Sequence, residues 1–145
     1  MSDRKRLLLV DDEAPMRQAI AQWLDLAGFD VEAHGNAESA INAVRSDYEG
    51  VIITDLRMAG LSGMDLLRHV QQIDPDLPVV MITGHGDIQS AVEAMQLGAY
   101  DFIEKPFEPE RLLDVVRRAH EKRRLVLENR RLRMIAAEPQ LASRI

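Results

Sequence analysis

Short apolar runs alternate along the chain with longer segments in which apolar residues recur at helical spacing. The runs at residues 7–10, 51–54 and 79–83 are apolar at nearly every position, which is typical of strands buried on both faces of a parallel sheet. Weaker runs lie near residues 29–33 and 102–103. The pattern predicts an α/β fold of (βα)5 form, with a five-stranded parallel sheet between two layers of helices.

Five helices are predicted between and after these runs. Four of them are expected over residues 14–27, 36–46, 63–73 and 88–97. The fifth begins at Pro109, because proline suits the first turn of a helix. Its apolar pattern continues over a longer stretch of sequence than that of any of the other four helices.

Within this last segment, apolar positions such as Leu125 and Leu132 continue the helical pattern until Pro139, where the helix is expected to end. The heptad pattern is imperfect, so a coiled coil is left open. We therefore predict a folded domain over residues 1–120 and an extended helical linker over residues 121–145.

Charge is divided unevenly between these two parts. The chain has a net charge of −6, with −10 over residues 1–119 and +4 over residues 120–145. The acidic body argues against direct binding of nucleic acid, since contacts to phosphate need clustered Lys and Arg. In the basic part, Glu121 and Glu128 interleave with the cations, which favours a solvated helix.

Composition excludes several other classes. The chain has no cysteine, so it has neither disulfides nor Cys-ligated metal. The apolar run after the basic N-terminus is too short for a signal peptide, and no window approaches the length of a bilayer-spanning helix. We expect a soluble, cytoplasmic protein without a membrane partner.

Polar side chains follow four of the predicted strands. Asp11 and Asp12 follow the first strand, Asp55 the third, Thr83 ends the fourth and Lys105 follows the fifth. Each residue alone could be a helix cap, a turn residue or a surface lysine. Because ligands of open parallel sheets bind at the carboxyl ends of the strands, five such residues at one edge predict a functional site.

The residue types at this edge suit phosphoryl transfer. Three carboxylates favour a hard cation with oxygen ligands, and Mg²⁺ is the expected cofactor. A carboxylate such as Asp55 can attack a phosphoryl group, while Lys105 neutralises the oxygens and Thr83 donates a hydrogen bond. The four histidines are scattered without zinc-ligand spacing and are expected to be surface or capping residues: His34, His69, His85 and His120.

Four segments in order resemble the signatures of response-regulator receiver domains. They are Leu-Leu-Val-Asp-Asp-Glu at residues 8–13, Thr-Asp-Leu-Arg-Met at 54–58, Ile-Thr-Gly at 82–84 and Glu-Lys-Pro-Phe at 104–107. The resemblance runs from about residue 5 to residue 120. It implies a doubly wound, flavodoxin-like fold with strand order 2-1-3-4-5.

The resemblance also implies roles for individual residues. Asp55 resembles the phosphoryl acceptor and Lys105 the conserved-type lysine beside it. Asp11 and Asp12 resemble the metal-side acids, Asp12 being the direct ligand. Arg57 would offer its backbone carbonyl to the metal.

Two further residues resemble the family's conformational switch, Thr83 through its hydroxyl and Phe102 through its ring. The Lys105–Pro106 bond lies where the family has a cis peptide. One position departs from the pattern: the family usually has Pro-Gly after Met58, whereas this chain has Ala59-Gly60. The change frees the backbone φ angle beside the acceptor.

Residues 83–88, 99–105, 121–125 and 128–133 are similar to regulators of the NtrC family, of the nitrogen-regulation and C4-dicarboxylate-transport type. This likeness implies a sensor histidine kinase as phosphoryl donor and control of a sigma-54-dependent transcription activator. It also implies a homodimer through the last helix or the fourth strand–helix region. The ATPase and DNA-binding domains would follow residue 145 in a full-length protein.

Two alternatives remain. A phosphatase of the haloacid-dehalogenase class also uses an aspartyl phosphate, Lys and Mg²⁺, but its first strand ends in Asp-x-Asp, whereas here it ends in Asp11-Asp12-Glu13. A pseudo-receiver would keep the fold as an interaction module with an idle site. Ala59 is the feature that keeps this second alternative open.

Overall fold

The computed structural model describes residues 4–143, with side chains described through residue 137. Strands and helices alternate throughout, as the apolar pattern predicts. The elements in chain order are β1 (Lys5–Val10), α1 (Ala14–Leu26), β2 (Phe29–His34), α2 (Ala37–Ile41), β3 (Gly50–Asp55), α3 (Gly63–Ile73), β4 (Val79–Thr83), α4 (Ile88–Gln96), β5 (Asp101–Glu104) and α5 (Pro109–Ser143).

The five strands form one parallel sheet in the order β2-β1-β3-β4-β5. The expected order is therefore confirmed. The chain winds from β1 to one side and then returns to place β3 on the other side. The carboxyl ends of β1 and β3 thus border the point at which the winding reverses, where open α/β sheets bind their ligands.

Two hydrophobic cores lie on opposite faces of the sheet. In β1, Leu7 and Leu9 face the core beneath α1 and α5, whereas Leu8 and Val10 face the core beneath α2, α3 and α4. Successive side chains of a strand point to opposite faces, so a strand buried on both faces must be apolar at every position. The unbroken apolar runs in the sequence follow from this arrangement.

Helix α2 is much shorter than the 36–46 segment predicted from the sequence. It ends at Ile41. Its beginning is as expected, since the side chain of Asn36 accepts a hydrogen bond from the Ser39 amide at 2.8 Å. Further along, the Ser46 carbonyl accepts a hydrogen bond from Arg123 at 3.0 Å. This tertiary contact engages a carbonyl group within the segment where continued helix was predicted.

The prediction that Pro139 ends the last helix is wrong, because α5 continues to Ser143. A proline removes one backbone donor and bends a helix locally, and the turns on either side can still form. Residues 144–145 of the predicted linker lie outside the described residues. Within residues 4–143, no helix is both long enough and apolar enough to cross a bilayer.

A buried arginine fixes the direction of α5. Arg123 is only 1% exposed, and its guanidinium donates to Asp74 at 2.9 Å, to the Ser46 carbonyl at 3.0 Å and to the Tyr48 carbonyl at 2.9 Å. Two turns further on, Arg130 donates to both carboxylate oxygens of Asp74, at 2.7 and 2.8 Å. The charge of Asp74 is thus shared between two guanidinium groups.

Burial alone would raise the pKa of Asp74, but hydrogen bonds from Arg130, from the Asp76 amide and from Arg123 lower that pKa to about 2. The carboxylate therefore stays charged at all but very acidic pH. Because Asp74 is the C-cap residue of α3, the pair joins the end of α3 to the middle of α5.

His120 differs from expectation, because it is buried rather than a surface or capping residue. Its ring stacks on Phe29 with centroids 5.4 Å apart. Burial, together with the positive charge of Lys5, lowers the pKa of His120 to about 4. The imidazole is therefore neutral at neutral pH and serves as a packing residue between α5 and β2.

We expect Asp74→Asn to lower the free energy of unfolding by about 3 kcal/mol at neutral pH, because it leaves the buried Arg123 without its counter-charge. The pKa of Asp74 is lower in the folded chain than its ordinary 3.8, so its contribution is complete above that pH and is lost as the pH falls towards 2. The difference between variant and wild type should shrink over the same range, as measured by urea unfolding.

Asp76→Asn is the matched control. Asp76 is exposed and contacts Arg130 at 3.2 Å, so its loss should cost no more than about 0.5 kcal/mol. Equal destabilisation by the two variants would contradict the role given to Asp74.

Candidate functional site

All five polar residues predicted at the sheet edge lie there. Asp11 and Asp12 follow β1, Asp55 is the last residue of β3, Thr83 is the last residue of β4, and Lys105 follows β5. The side chains come from separate parts of the sequence, and the parallel arrangement of the strands brings their ends to one edge.

Three carboxylates converge at this edge. One oxygen from each of Asp11, Asp12 and Asp55 lies within 4.8 Å of the others. Asp11 and Asp55 are buried and Asp12 is exposed. Like charges at this separation repel each other, and a nearby cation offsets the unfavourable energy of that repulsion.

Asp11 is the most constrained of the three acids. One of its oxygens accepts a hydrogen bond from the Glu13 amide at 2.9 Å. The other is buried and has no hydrogen-bond partner among the described residues. Burial, helped by the charge of Asp55, raises the pKa of Asp11 above its ordinary value.

Lys105 supplies the cation that contacts the cluster. Its ammonium donates to Asp55 at 2.9 Å. Burial works against the charge of Lys105, but the hydrogen bond with Asp55 and the charges of Asp55 and Asp11 raise its pKa above the usual value. One ammonium facing three carboxylates leaves an excess of negative charge.

This donor set fits a divalent cation. Hard cations such as Mg²⁺ bind carboxylate oxygens and keep several waters. The unpartnered buried oxygen of Asp11 and the uncompensated negative charge are the two features that a bound cation would satisfy. Asp11, Asp12 and Asp55 are the residues that could hold it.

Thr83 and Lys105 are joined through the backbone. Thr83 is buried, and its carbonyl accepts a hydrogen bond from the Lys105 amide at 2.8 Å. Phe102 lies in β5, three residues before Lys105. It is half-buried against the core beneath α2, α3 and α4. The Lys105–Pro106 peptide bond is cis, as expected.

Arg57 lies on the loop after β3, and its side chain binds an aspartate outside the cluster of three carboxylates. Its guanidinium is exposed and donates to Asp87, at the start of α4, at 3.0 Å. The expected role of Arg57 concerns its backbone carbonyl as a metal ligand, and that role stays a prediction.

Two backbone amides of this loop bind acidic side chains. The Ala59 amide donates to Asp12 at 2.9 Å, and the Leu61 amide donates to Glu38 at 3.1 Å. Gly60 between them has a φ of +76°, which glycine adopts without strain. Sequence reasoning missed these contacts because a backbone donor has no residue signature, except that it cannot be proline.

Gly63 at the start of α3 lies directly against the candidate acceptor. A Cβ atom at this position would be 2.2 Å from the backbone carbonyl oxygen of Asp55. The helix begins here because Ser62 and Asp65 form a reciprocal capping box. The close approach requires glycine and sets the position of α3 relative to the end of β3.

The chain belongs to the response regulator receiver domain family, whose model matches residues 7–117. The resemblance to NtrC-family regulators is also confirmed. The chain is 54% identical over 92% of its length to the C4-dicarboxylate transport transcriptional regulatory protein DctD of Pseudomonas aeruginosa. It is 49% identical over 94% of its length to DctD of Rhizobium meliloti. It spans about 30% of the length of these relatives.

Solved structures agree with the fold. The chain matches NtrX from Brucella abortus in complex with ADP with a TM-score of 0.81 and 40% identity, covering 89% of this chain and 30% of that one. It matches FixJ-N with a TM-score of 0.72 and 44% identity, covering 83% of this chain and 96% of that one. These matches confirm that the chain has the flavodoxin-like receiver fold.

We expect Gly63→Ala to lower the free energy of unfolding by about 2–3 kcal/mol, because the new methyl group must displace either α3 or the Asp55 backbone. Chemical denaturation measures this loss. An Asp55 amide resonance that moves in the folded variant would locate the displacement at the acceptor.

Gly84→Ala is the control, because its Cβ would meet no atom within 4 Å. It should change stability by no more than about 0.5 kcal/mol. If Gly63→Ala were equally mild, the close approach would not constrain α3.

Proposed function

We propose that this receiver accepts a phosphoryl group on Asp55 from a phosphohistidine of a sensor histidine kinase. The observation that carries this proposal is the contact between Lys105 and Asp55 at 2.9 Å, next to two further carboxylates within 4.8 Å. A structural ion pair would not need the additional acids. A site that binds a cation and a transferring phosphoryl group needs both the lysine beside the acceptor and the additional carboxylates.

In the proposed transfer, an oxygen of Asp55 attacks the phosphorus atom of the phosphohistidine. An O–P bond forms, the N–P bond breaks, and its electron pair returns to the imidazole, which takes up a proton from solvent. Lys105 moves its hydrogen bond from the Asp55 oxygen to an oxygen of the arriving group. In this proposal the chain is a regulatory domain that catalyses only its own phosphorylation and the removal of the phosphoryl group from Asp55.

Asp11, Asp12 and Asp55, with the backbone carbonyl of Arg57, would hold Mg²⁺. When bound, the ion neutralises charge on the transferring oxygens. The buried, unpartnered oxygen of Asp11 supports this assignment.

We propose Thr83 and Phe102 as the conformational switch. The Thr83 hydroxyl would donate to a phosphoryl oxygen, and the Phe102 ring would move into the space released beside β4. Two features support this pairing: Thr83 is bonded through its backbone to Lys105, and the ring of Phe102 is half-buried and not enclosed by the core. The movement would change the surface formed by α4 and β5.

We propose residues 1–120 as the receiver and residues 121–145 as a linker towards an ATPase domain and a DNA-binding domain, in a sigma-54-dependent activator. The chain spans about 30% of the DctD relatives and 30% of the NtrX chain that was solved in complex with ADP, which supports this arrangement. The acidic body favours protein partners over nucleic acid for this part of the chain. A cytoplasmic location stays a prediction.

The family match favours a receiver over a haloacid-dehalogenase-type phosphatase. An intact set of Asp11, Asp55 and Lys105 contacts favours an active site over an idle one. The experiment on Asp55 tests both choices.

We expect the wild-type chain to gain one phosphoryl group from acetyl phosphate in the presence of Mg²⁺, and Asp55→Asn to gain none, because the amide cannot act as the nucleophile. Intact-protein mass spectrometry measures the gain. Asp47→Asn, an exposed aspartate before β3, is the control and should be phosphorylated like wild type.

A wild-type chain that gains no mass, or an Asp55→Asn chain that does, would sink the proposal. Release of inorganic phosphate from a phosphomonoester over many turnovers would instead favour the phosphatase.

We also propose that the chain forms a homodimer through the last helix or the fourth strand–helix region. Apolar side chains are exposed on both elements, at Ile88 and Val92 in α4 and at Leu125, Leu132 and Ile135 in α5. Leu125 and Leu132 are seven residues apart and so lie on one side of α5.

For a dimer through the last helix, we expect Leu132→Glu to lower the association constant at least tenfold, because it places a charge on the proposed contact. Light scattering over a range of concentrations, with and without beryllofluoride, measures the change. Met134→Glu lies on the opposite side of the helix and is the control. Equal effects of both variants would reject the last helix, and a dimer unaffected by either would favour α4.

A further inference from the structure

The exposed acid of the cluster is held in place by the backbone of another loop. Asp12 is exposed, yet one of its oxygens accepts a hydrogen bond from the Ala59 amide at 2.9 Å. The two residues are 47 positions apart in the chain. The bond therefore joins the loop after β1 to the loop after β3.

The donor in this bond is itself fixed on its far side. Two residues further on, the Leu61 amide is bound by Glu38 of α2. Between the two amides, Gly60 turns the backbone with a positive φ. The loop thus presents the Ala59 N–H group to Asp12 from a supported position.

An exposed aspartate without such a contact changes rotamer freely, and that freedom must be given up when the side chain binds a cation. A carboxylate has two oxygens with about four acceptor positions. Asp12 can therefore keep the hydrogen bond from Ala59 and still offer an oxygen to an ion. Partners that hold a metal ligand in this way commonly change affinity by 10- to 100-fold when they are removed.

We propose that the backbone N–H of Ala59 is a positioning group that holds Asp12 ready for Mg²⁺, an inference that rests on the proposed function of the site. Only a residue other than proline can supply this donor. In this chain, the alanine that stands where the family usually has proline would then support a metal-binding side chain through its amide. The bond also ties the loop that follows Asp55 to the loop that follows β1, so the two sides of the site are set together.

The structure offers a variant pair that separates this role from simple loop stiffness. Ala59→Pro removes the donor and makes the loop stiffer, whereas Ala59→Gly keeps the donor and makes the loop more flexible. If stiffness governs Mg²⁺ binding, Gly should weaken it and Pro should not. If the hydrogen bond governs it, the order is reversed.

We expect the dissociation constant for Mg²⁺ to rise about tenfold in Ala59→Pro and to stay within about twofold of wild type in Ala59→Gly. Isothermal titration with MgCl₂ measures the constants, and far-UV circular dichroism checks that each variant is folded. Binding by Ala59→Pro that is as tight as wild type or tighter would overturn the proposal.

A second measurement needs no variant. In the wild-type chain, an NMR scalar coupling across the hydrogen bond between the Ala59 nitrogen and the Asp12 carboxyl carbon should be present without Mg²⁺ and persist at saturating Mg²⁺. Loss of the coupling on Mg²⁺ binding would overturn the proposal, since the amide would then compete with the ion.

Different results would overturn the proposed cation site and the positioning role of Ala59. A wild-type chain that binds no Mg²⁺ overturns the proposed cation site and this inference with it. A wild-type chain that binds Mg²⁺, with Ala59→Pro binding equally well, overturns the positioning role alone.

Discussion

The repulsion among three carboxylates at one sheet edge is the constraint around which the rest of the site is arranged. Two of these acids are buried, where charge is least well solvated. Lys105 offsets part of the charge through Asp55, and backbone amides of Glu13 and Ala59 bind Asp11 and Asp12. The fold keeps these groups together because β1, β3 and β5 end at the same edge. Burial of the apolar strands thus stabilises a fold in which these three carboxylates lie close together despite their repulsion.

Much of this arrangement could be predicted from the sequence, for a specific physical reason. Strands buried on both faces show themselves as unbroken apolar runs, and parallel strands must end at a common edge. The positions of Asp11, Asp55, Thr83 and Lys105 follow from those two facts. The strand order came from the family resemblance, since local patterns do not determine which buried strands are neighbours.

Two of the predictions that were wrong concern groups whose environment is set by distant parts of the chain. Helix α2 is short where the guanidinium of Arg123 binds the Ser46 carbonyl, and His120 is buried because α5 packs it against Phe29. The hydrogen bond from the Ala59 amide could not be predicted for a different reason, because every residue but proline has the same donor. Pro139 shows the limit of a local rule, since one missing hydrogen bond does not end a long helix.

The ion pairs of Asp74 with Arg123 and Arg130 give the last turns of α5 the geometry of a lever. The helix is fixed to the domain as far as Arg130, which binds Asp74 through both oxygens. From there to Ser143 it extends for thirteen more residues, about 20 Å at 1.5 Å per residue. A tilt of about 10° at Arg130 would carry the end of the helix through about 3 Å on this length. A small change in the packing of the domain at Asp74 would thus displace the end of the helix by about the length of one side-chain contact.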